Sequence, residues 1–496
     1  SPFFYPYFYL AFDRKGTLSK DTMKLQYLNP ALALVLIAVA GFAVNVVLLW
    51  DWELDDALIY ARYINNFIEG NGLVFNPDTK VNGLTSPLFA YLSILVAPFV
   101  GDTKDAIMLV SALATVGSML VFYMLLSRFF IEEKAAVISA LLATMAAASY
   151  VNLGMETSLF VLLFGVSLYC YLQNAHFLLG AAVGFLVLTR PEGVLLVPVL
   201  AINTYLSGRS WPSWRCYLMP AAMVLSQLLF NGLYYGEIFP TSGIAKIYQG
   251  ESGLWAEEQF LSSLLTKFHF GFTATGYWPS TVVLLATAAC SMLVTRANEY
   301  LILTGLFLIF YTAFYVILQI PPQGWYYGIY FSILWSYAAI GVAGIVKYLS
   351  DKSDQSANWL YSLLFVILVF TFFWQEPKLR ETVGGTVRQD YQAIGQWLAS
   401  NTPDSASIAL VEIGTVAWYS EREIIDILGL VTPEVSEFIA RGELSAWTDV
   451  YQPDYMLVHE PLWDLEVGLH ALMEKATVTD VTEFNFPGFK LKRVVE

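Results

Sequence analysis

The feature that most constrains this chain is a succession of eleven apolar runs, most of them about 15 to 22 residues long and nearly free of charge. They fall near 30–50, 106–127, 135–152, 157–173, 177–189, 193–207, 216–235, 278–295, 299–319, 325–348 and 357–375. In lipid such a run must satisfy its backbone hydrogen bonds within itself, and the α-helix does so. With 57% hydrophobic residues and only 14% charged, the composition is far too apolar for a soluble globular protein. The expected class is therefore a polytopic α-helical membrane protein. The three cysteines, Cys170, Cys216 and Cys290, lie in or beside apolar runs and give neither a disulfide framework nor a metal-binding spacing. No cleavable signal peptide is expected, because about thirty residues precede the first run and no small-residue cleavage site follows it.

A twelfth apolar stretch, 85–100, decides the topology. If it crosses the bilayer, the loop with Arg128 and Lys134 shares a side with Asp55. If it lies on the surface, that loop joins the basic N-terminal segment (Arg14, Lys15, Lys20, Lys24) and Arg209, Arg215, Arg296, Lys347 and Lys352 on the other side. The excess of Lys and Arg in cytoplasmic loops favours the second arrangement. The expectation is eleven spans, juxtamembrane helices on the outer face, and a cytoplasmic N-terminus.

From residue 376 the chain changes character. It carries 20 Asp and Glu against 9 Lys and Arg, and helical patterns such as "DYQAIGQWLASN" alternate with strand-like "SIALVEI" and "YMLVH". Two units are expected: a membrane domain over 1–375, with a first outer loop at 51–105 and a long outer loop at 236–277, and an extracytoplasmic soluble α/β domain over 376–496. The acidity of the second argues against nucleic acid or an anionic membrane surface as its partner.

Directly after the first run stands "DWELDDALIYARYINN", residues 51–66, with four carboxylates. Its helical pattern places Tyr60, Ile64, Phe67 and Ile68 on one face and Arg62, Asn65, Asn66 and Glu69 on the other, as suits a helix lying in the interface. Acids at a helix start cap free N–H groups and favour the dipole, which is one account of Asp55 and Asp56.

A second account comes from a resemblance. The block "DDALIYARYINNFIEGNGLVFNPDTKVNGLTS", followed in order by "GMETS" (154–158), "LTRPEG" (188–193) and "YYGEIFPTSGIAK" (234–246), resembles GT-C glycosyltransferases. Within that superfamily it is most similar to the terminal β-(1→2)-arabinofuranosyltransferases of mycobacteria. These segments cover the first half of the chain; the second half is similar in architecture, with "GWYYGIY" before a late span. Where the family commonly shows Gly-Glu-Arg-Val-Glu, this chain has Asp78-Thr79-Lys80-Val81-Asn82, which alters what the stretch offers to the acceptor or donor sugar.

The resemblance implies a GT-C fold in a bacterial inner membrane. It also implies an inverting transfer of a sugar, D-arabinofuranose by the nearest likeness, from a polyprenyl-phosphate donor to the hydroxyl of a cell-envelope glycan or glycoprotein. Such chemistry needs a carboxylate to take the acceptor's proton and cations or N–H donors to receive the departing phosphate. The family's base follows the first span, which makes Asp55 the first choice and Asp56 the second.

Glu156 is either a hydrated acid at a helix start or a partner that orients the acceptor or a cation. Arg190, beside Glu192 at the break Thr189–Gly193, either reaches lipid headgroups or cradles the donor phosphate. Lys246 is either a solvated loop residue or a second phosphate contact. Arg62, seven residues after Asp55, is expected to orient the Asp55 carboxylate. Lys80 joins the substrate-binding set. Tyr326 and Tyr327 belong either to an interfacial aromatic belt or to a sugar-stacking surface, and His269 is a weak candidate.

No His-rich or Asp-x-Asp pattern calls for a metal, and no cofactor beyond the lipid-linked donor is expected. A hexosyl or mannosyl transferase of the same fold is the neighbouring reading. A lipid-linked sugar flippase would be of another class, but it would show paired repeats with ionisable residues at mid-bilayer, and neither is present.

Overall fold

A computed structural model of the protein describes residues 53–129, 153–253, 259–264, 285–294, 297–352 and 386–495, with a few isolated positions between them. The expected spans 135–152 and 357–375, most of 30–50, part of 278–295, the basic N-terminal segment and His269 lie outside the described residues.

Helix α1 (Asp55–Ile68) is followed by α2 (Pro87–Val100), α3 (Thr103–Leu126), α4 (Thr157–Leu172) and α5 (His176–Thr189). A 3-10 turn (Pro191–Leu195) leads into α6 (Leu196–Ser207), and then come α7 (Leu218–Tyr234), α8 (Thr241–Glu251), α9 (Asn298–Ile317) and α10 (Gly328–Lys352). Four helical stretches, Thr103–Leu126, Trp214–Tyr234, Asn298–Ile317 and Gly324–Leu349, are long and apolar enough to cross a membrane. The expected spans at 157–173, 177–189 and 193–207 are shorter helices, the last entered through the 3-10 turn. At 1.5 Å per residue the 14 residues of α5 rise only about 21 Å, less than a full bilayer core.

Side-chain contacts fix which helix ends lie together. At one end Lys104 meets Glu53 at 2.6 Å and Arg190 meets Glu156 at 2.6 Å. At the other, Arg128 donates to the Leu172 carbonyl, while Arg209 holds Asn174 and Glu299. Helices α3 to α6 and α9 thus run between these two ends, with the charges gathered at the tips. Helix α2 begins beside Thr85, near Tyr60, and ends at Gly101, which shares a cleft with Arg62 and Tyr419. Both its ends therefore lie at the Arg190 end.

The C-terminal unit comprises α11 (Thr386–Asn401), β1 (Ser407–Leu410), α12 (Ile413–Ser420), β2 (Glu423–Asp426), α13 (Val435–Ala440), β3 (Tyr455–His459), α14 (Val467–Lys475), β4 (Thr477–Asp480) and β5 (Phe489–Val495). The sheet order is β2-β1-β3-β5-β4; the first three strands are parallel, and β5 and β4 pair antiparallel. Alternation along β1 and β3 gives each face of the sheet its own apolar layer. Ile408 and Leu457 pack toward α1 and α11, and Ala409, Met456 and Val458 toward Trp447 and α14.

Helix α1 is the seam between the two units. Its core residues Leu58 and Ile64 belong to the same apolar cluster as Ile394, Val416 and Ala417. The interfacial reading of α1 needs correction: on its polar face Arg62 is covered by the C-terminal unit and Asn66 by residues 74–75, while Glu69 stays exposed. Arg62 and Asn66 are each 7% exposed, whereas Phe67 and Ile68 are about half exposed. A guanidinium tolerates this burial only with acceptors at hand, and Arg62 finds the carbonyls of Phe75, Ala417 and Arg422. Asn76 adds a rung to the edge strand β2, accepting from the Ile424 N–H at 3.1 Å and donating to its carbonyl at 2.8 Å.

Candidate active site

A cavity of about 360 Å³ opens at the Arg190 end of the bundle. Its walls come from the start of α1 (Asp56, Tyr60), Thr85, Glu156, the 190–192 turn, α8 (Lys246), the end of α9 (Tyr315), Tyr326, and Leu430 and Val431 of the C-terminal unit. The four sequence segments that carry the resemblance thus converge on one space, although they are far apart in the chain.

Local backbone chemistry explains how Arg190 is presented. The residue before a proline is driven out of the helical region, and Arg190 is extended at φ −155°, ψ 134° between α5 and the 3-10 turn begun by Pro191. Gly193 completes the reversal, since a Cβ there would sit 2.8 Å from the Leu186 carbonyl oxygen. The guanidinium then donates to Glu192 at 2.7 Å, to Glu156 at 2.6 Å and to the Tyr315 hydroxyl at 2.9 Å, and lies 4.8 Å from the centre of the Tyr326 ring. Three of its five N–H groups are used in these contacts. Glu156 Oε2 is buried and has no hydrogen-bond partner among the described residues.

The adjacent acids of α1 point to different places. Asp55 accepts from the backbone N–H of Gly414 at 3.0 Å and of Thr415 at 2.6 Å, at the start of α12. It caps a helix, though not its own. Asp56 faces the cavity. Burial pushes its carboxyl up to about 6; Lys246 opposes the shift, and Asp55, Glu156 and Asp426 add to it.

Lys246 is carried by α8, whose first turn is tied down by Thr241 N–H to the Asn82 carbonyl and by Ser242 to the Gly83 carbonyl. Its ammonium has no hydrogen bond or ion pair within 4 Å among the described residues, so it lines the cavity as an uncommitted cation.

Other expected site residues lie elsewhere. Arg62 does not orient Asp55; its donors are spent on carbonyl groups at the seam. Lys80 is exposed and sits over the Tyr234 ring at 4.8 Å, outside the cavity lining. Tyr326 lines the cavity, but Tyr327 turns into the core, stacked on Phe260 and bonded to its carbonyl. Among the described residues no three His, Cys, Asp or Glu side chains gather as ligands for a metal ion.

Sequence reasoning missed Tyr315, Thr85, Glu412 and Asp426. Tyr315 had a signal, being a hydroxyl inside an apolar run, four residues after Tyr311. Glu412 and Asp426 follow or end parallel strands, whose carboxyl edges are a common place for ligand sites. Burial, with Asp55 and Asp56 beside it, holds the Glu412 carboxyl well above the usual range. Burial likewise raises Asp426 to about 6 despite three backbone N–H donors.

The whole architecture matches crystal structures of ArnT from Cupriavidus metallidurans. The form bound to undecaprenyl phosphate aligns with a TM-score of 0.59 and 14% identity, covering 93% of this chain and 97% of that one. The apo form gives 0.57 and 15% over the same shares. The fold is of the GT-C type.

Over 230 residues the chain is 27% identical to the terminal β-(1→2)-arabinofuranosyltransferase of Mycobacterium tuberculosis. The match spans 42% of this chain and 36% of that relative's length. Residues 381–491 match a domain of unknown function, DUF8728.

Proposed function

We propose that the protein is an inverting glycosyltransferase that moves a sugar, D-arabinofuranose, from a polyprenyl-phosphate donor to a hydroxyl of a cell-envelope glycan or glycoprotein. The cavity then faces the extracytoplasmic side of a bacterial inner membrane. The observation that carries this reading is that Asp56, with a raised pKa, and Lys246, an uncommitted cation, share one cavity at the ends of apolar helices. The arabinofuranose assignment draws on the mycobacterial relative's activity, and the lipid phosphate on the undecaprenyl phosphate held by ArnT.

In this reading the acceptor hydroxyl attacks the anomeric carbon from the face opposite the phosphate. Its proton passes to an Asp56 carboxylate oxygen as the new C–O bond forms. The bond from the anomeric carbon to the phosphate oxygen breaks, its electron pair leaves with the lipid phosphate, and the configuration inverts. Lys246 and the unused N–H groups of Arg190 receive the negative charge that develops on that phosphate. Glu192 and Glu156 hold Arg190 in place, and Glu156 Oε2 is free to accept from a sugar hydroxyl. Asp55 fixes the start of α1 and so keeps Asp56 in position.

The test is to incubate the purified protein with synthetic polyprenyl-phosphate donors carrying arabinofuranose, ribofuranose, mannose or glucose and to measure sugar transfer. Transfer from the arabinofuranose donor is expected. Transfer from a hexose donor alone would overturn the sugar assignment, and movement of an intact donor across a vesicle without transfer would overturn the enzyme reading.

A further inference from the structure

The C-terminal unit matches a domain of unknown function, yet one of its loops enters the cavity. After β2 ends at Asp426, the chain turns sharply through residues 427–432. The Asp426 carboxylate, fully buried, accepts from the N–H groups of Leu428, Leu430 and Val431, and its own N–H donates to the Thr432 hydroxyl at 2.7 Å. Gly429 has φ +76°, and a Cβ there would lie 2.5 Å from the Ser436 nitrogen, so the turn accepts only glycine without strain. This rigid turn delivers Leu430 and Val431 to the cavity wall.

The same turn is tied to both neighbouring walls. Gln249, one helical turn beyond Lys246, donates to the Leu428 carbonyl at 2.9 Å. Val431 packs so closely on Gly83 that a Cβ there would sit 2.9 Å from its methyl group. The lining also holds Phe314 and Leu318, at the end of a helix long enough to cross the membrane, and Phe239, which is 61% exposed. These apolar side chains at a membrane-crossing helix end suit the tail of a lipid donor. Leu430 and Val431 belong instead to the unit that has no membrane-crossing helix among the described residues, the side that suits a water-soluble glycan.

We propose that the Asp426–Thr432 turn forms the acceptor side of the cavity and selects the acceptor glycan by shape. Leu430 and Val431 offer no charge or side-chain hydrogen bond, so they discriminate by steric fit around the hydroxyl presented to Asp56. Asp426 is a positioning residue that holds the turn. This inference rests on the transferase reading above.

The experiment uses the full-length protein with a fixed arabinofuranose donor and a panel of synthetic acceptor glycosides, comparing Val431→Trp, Leu430→Ala and Gly429→Ala with wild type. Gly429→Ala distorts the turn without placing an atom in the cavity. Melting temperatures identify any variant that fails to fold. In folded variants, acceptor KM is expected to rise about tenfold while donor KM changes by less than about twofold, and the ranking of acceptors changes. Equal movement of both KM values, or an unchanged acceptor KM and ranking in folded variants, would overturn the inference. A wild-type protein that uses no polyprenyl-phosphate donor fails at the earlier step, refuting the transferase reading and this inference with it.

Discussion

Asp55 and Asp56 are adjacent on α1, yet the Asp55 carboxylate caps α12 of the C-terminal unit while Asp56 lines the cavity. One peptide unit thus couples the docking of a domain to the chemistry beside it. Gly414 makes this possible, since any Cβ there would collide with the Asp55 carbonyl oxygen.

Replacing Asp55 by Ala removes both N–H acceptors and should cost on the order of 1–2 kcal/mol at the seam. The expected outcome is a lower melting temperature and faster proteolysis between the two units. Asp55→Asn keeps one acceptor oxygen but sets its NH2 against the other N–H, so it should fall between Asp55→Ala and wild type in both measurements.

The raised carboxyl of Asp56 sets a pH dependence. As a base it must be ionised, so kcat should fall about tenfold per unit as pH drops below about 6. Stability should move the other way. Asp56 and Asp426 have folded values of about 6 against 3.8 in the open chain, so the folded state binds more protons between those limits. Their contribution is therefore fully present below about 4 and is lost as pH rises through about 6. Melting curves from about pH 4 to 8 and rates from about pH 5 to 8 check both limbs.

Lys246→Met should raise the donor KM by about ten- to a hundredfold, and Lys246→Arg should restore much of the loss. The lysine also holds Asp56 down, so the acid limb of the rate profile should shift to higher pH in Lys246→Met. A profile that stays in place would show that the two groups do not face each other.

Arg190 neutralises two buried carboxylates. Arg190→Met leaves Glu156 and Glu192 without their cation and should destabilise the protein by about 3–5 kcal/mol. The double variant Arg190→Met with Glu192→Gln should recover part of that loss in a melting experiment, without regaining transfer.

Much of this was legible from residue order. Among the described residues the apolar runs from 106 to 127 and from 157 to 235, with 299–319 and 325–348, marked helices, the Thr189–Gly193 break marked the presentation of Arg190, and the ordered segments marked the walls of the cavity. What was not legible followed from burial by distant chain. Periodicity gave α1 one apolar and one polar face, but it could not reveal that residues 417 and 422 would supply acceptors to Arg62 and bury it. Nor could it separate Asp55 from Asp56, because the partner that claims Asp55 lies some 360 residues further along the chain. Tyr326 and Tyr327 were inseparable for the same reason: only the packing of Phe260 sends one inward and leaves the other at the cavity.

The most direct test sets Asp56→Asn beside Asp55→Asn in a transfer assay with a polyprenyl-phosphate arabinofuranose donor. Asp56→Asn should lower kcat by about 10² to 10⁴ with donor KM little changed, and Asp55→Asn should stay near wild type. Full activity in Asp56→Asn, or loss confined to Asp55→Asn, would contradict the assignment of Asp56 as the base.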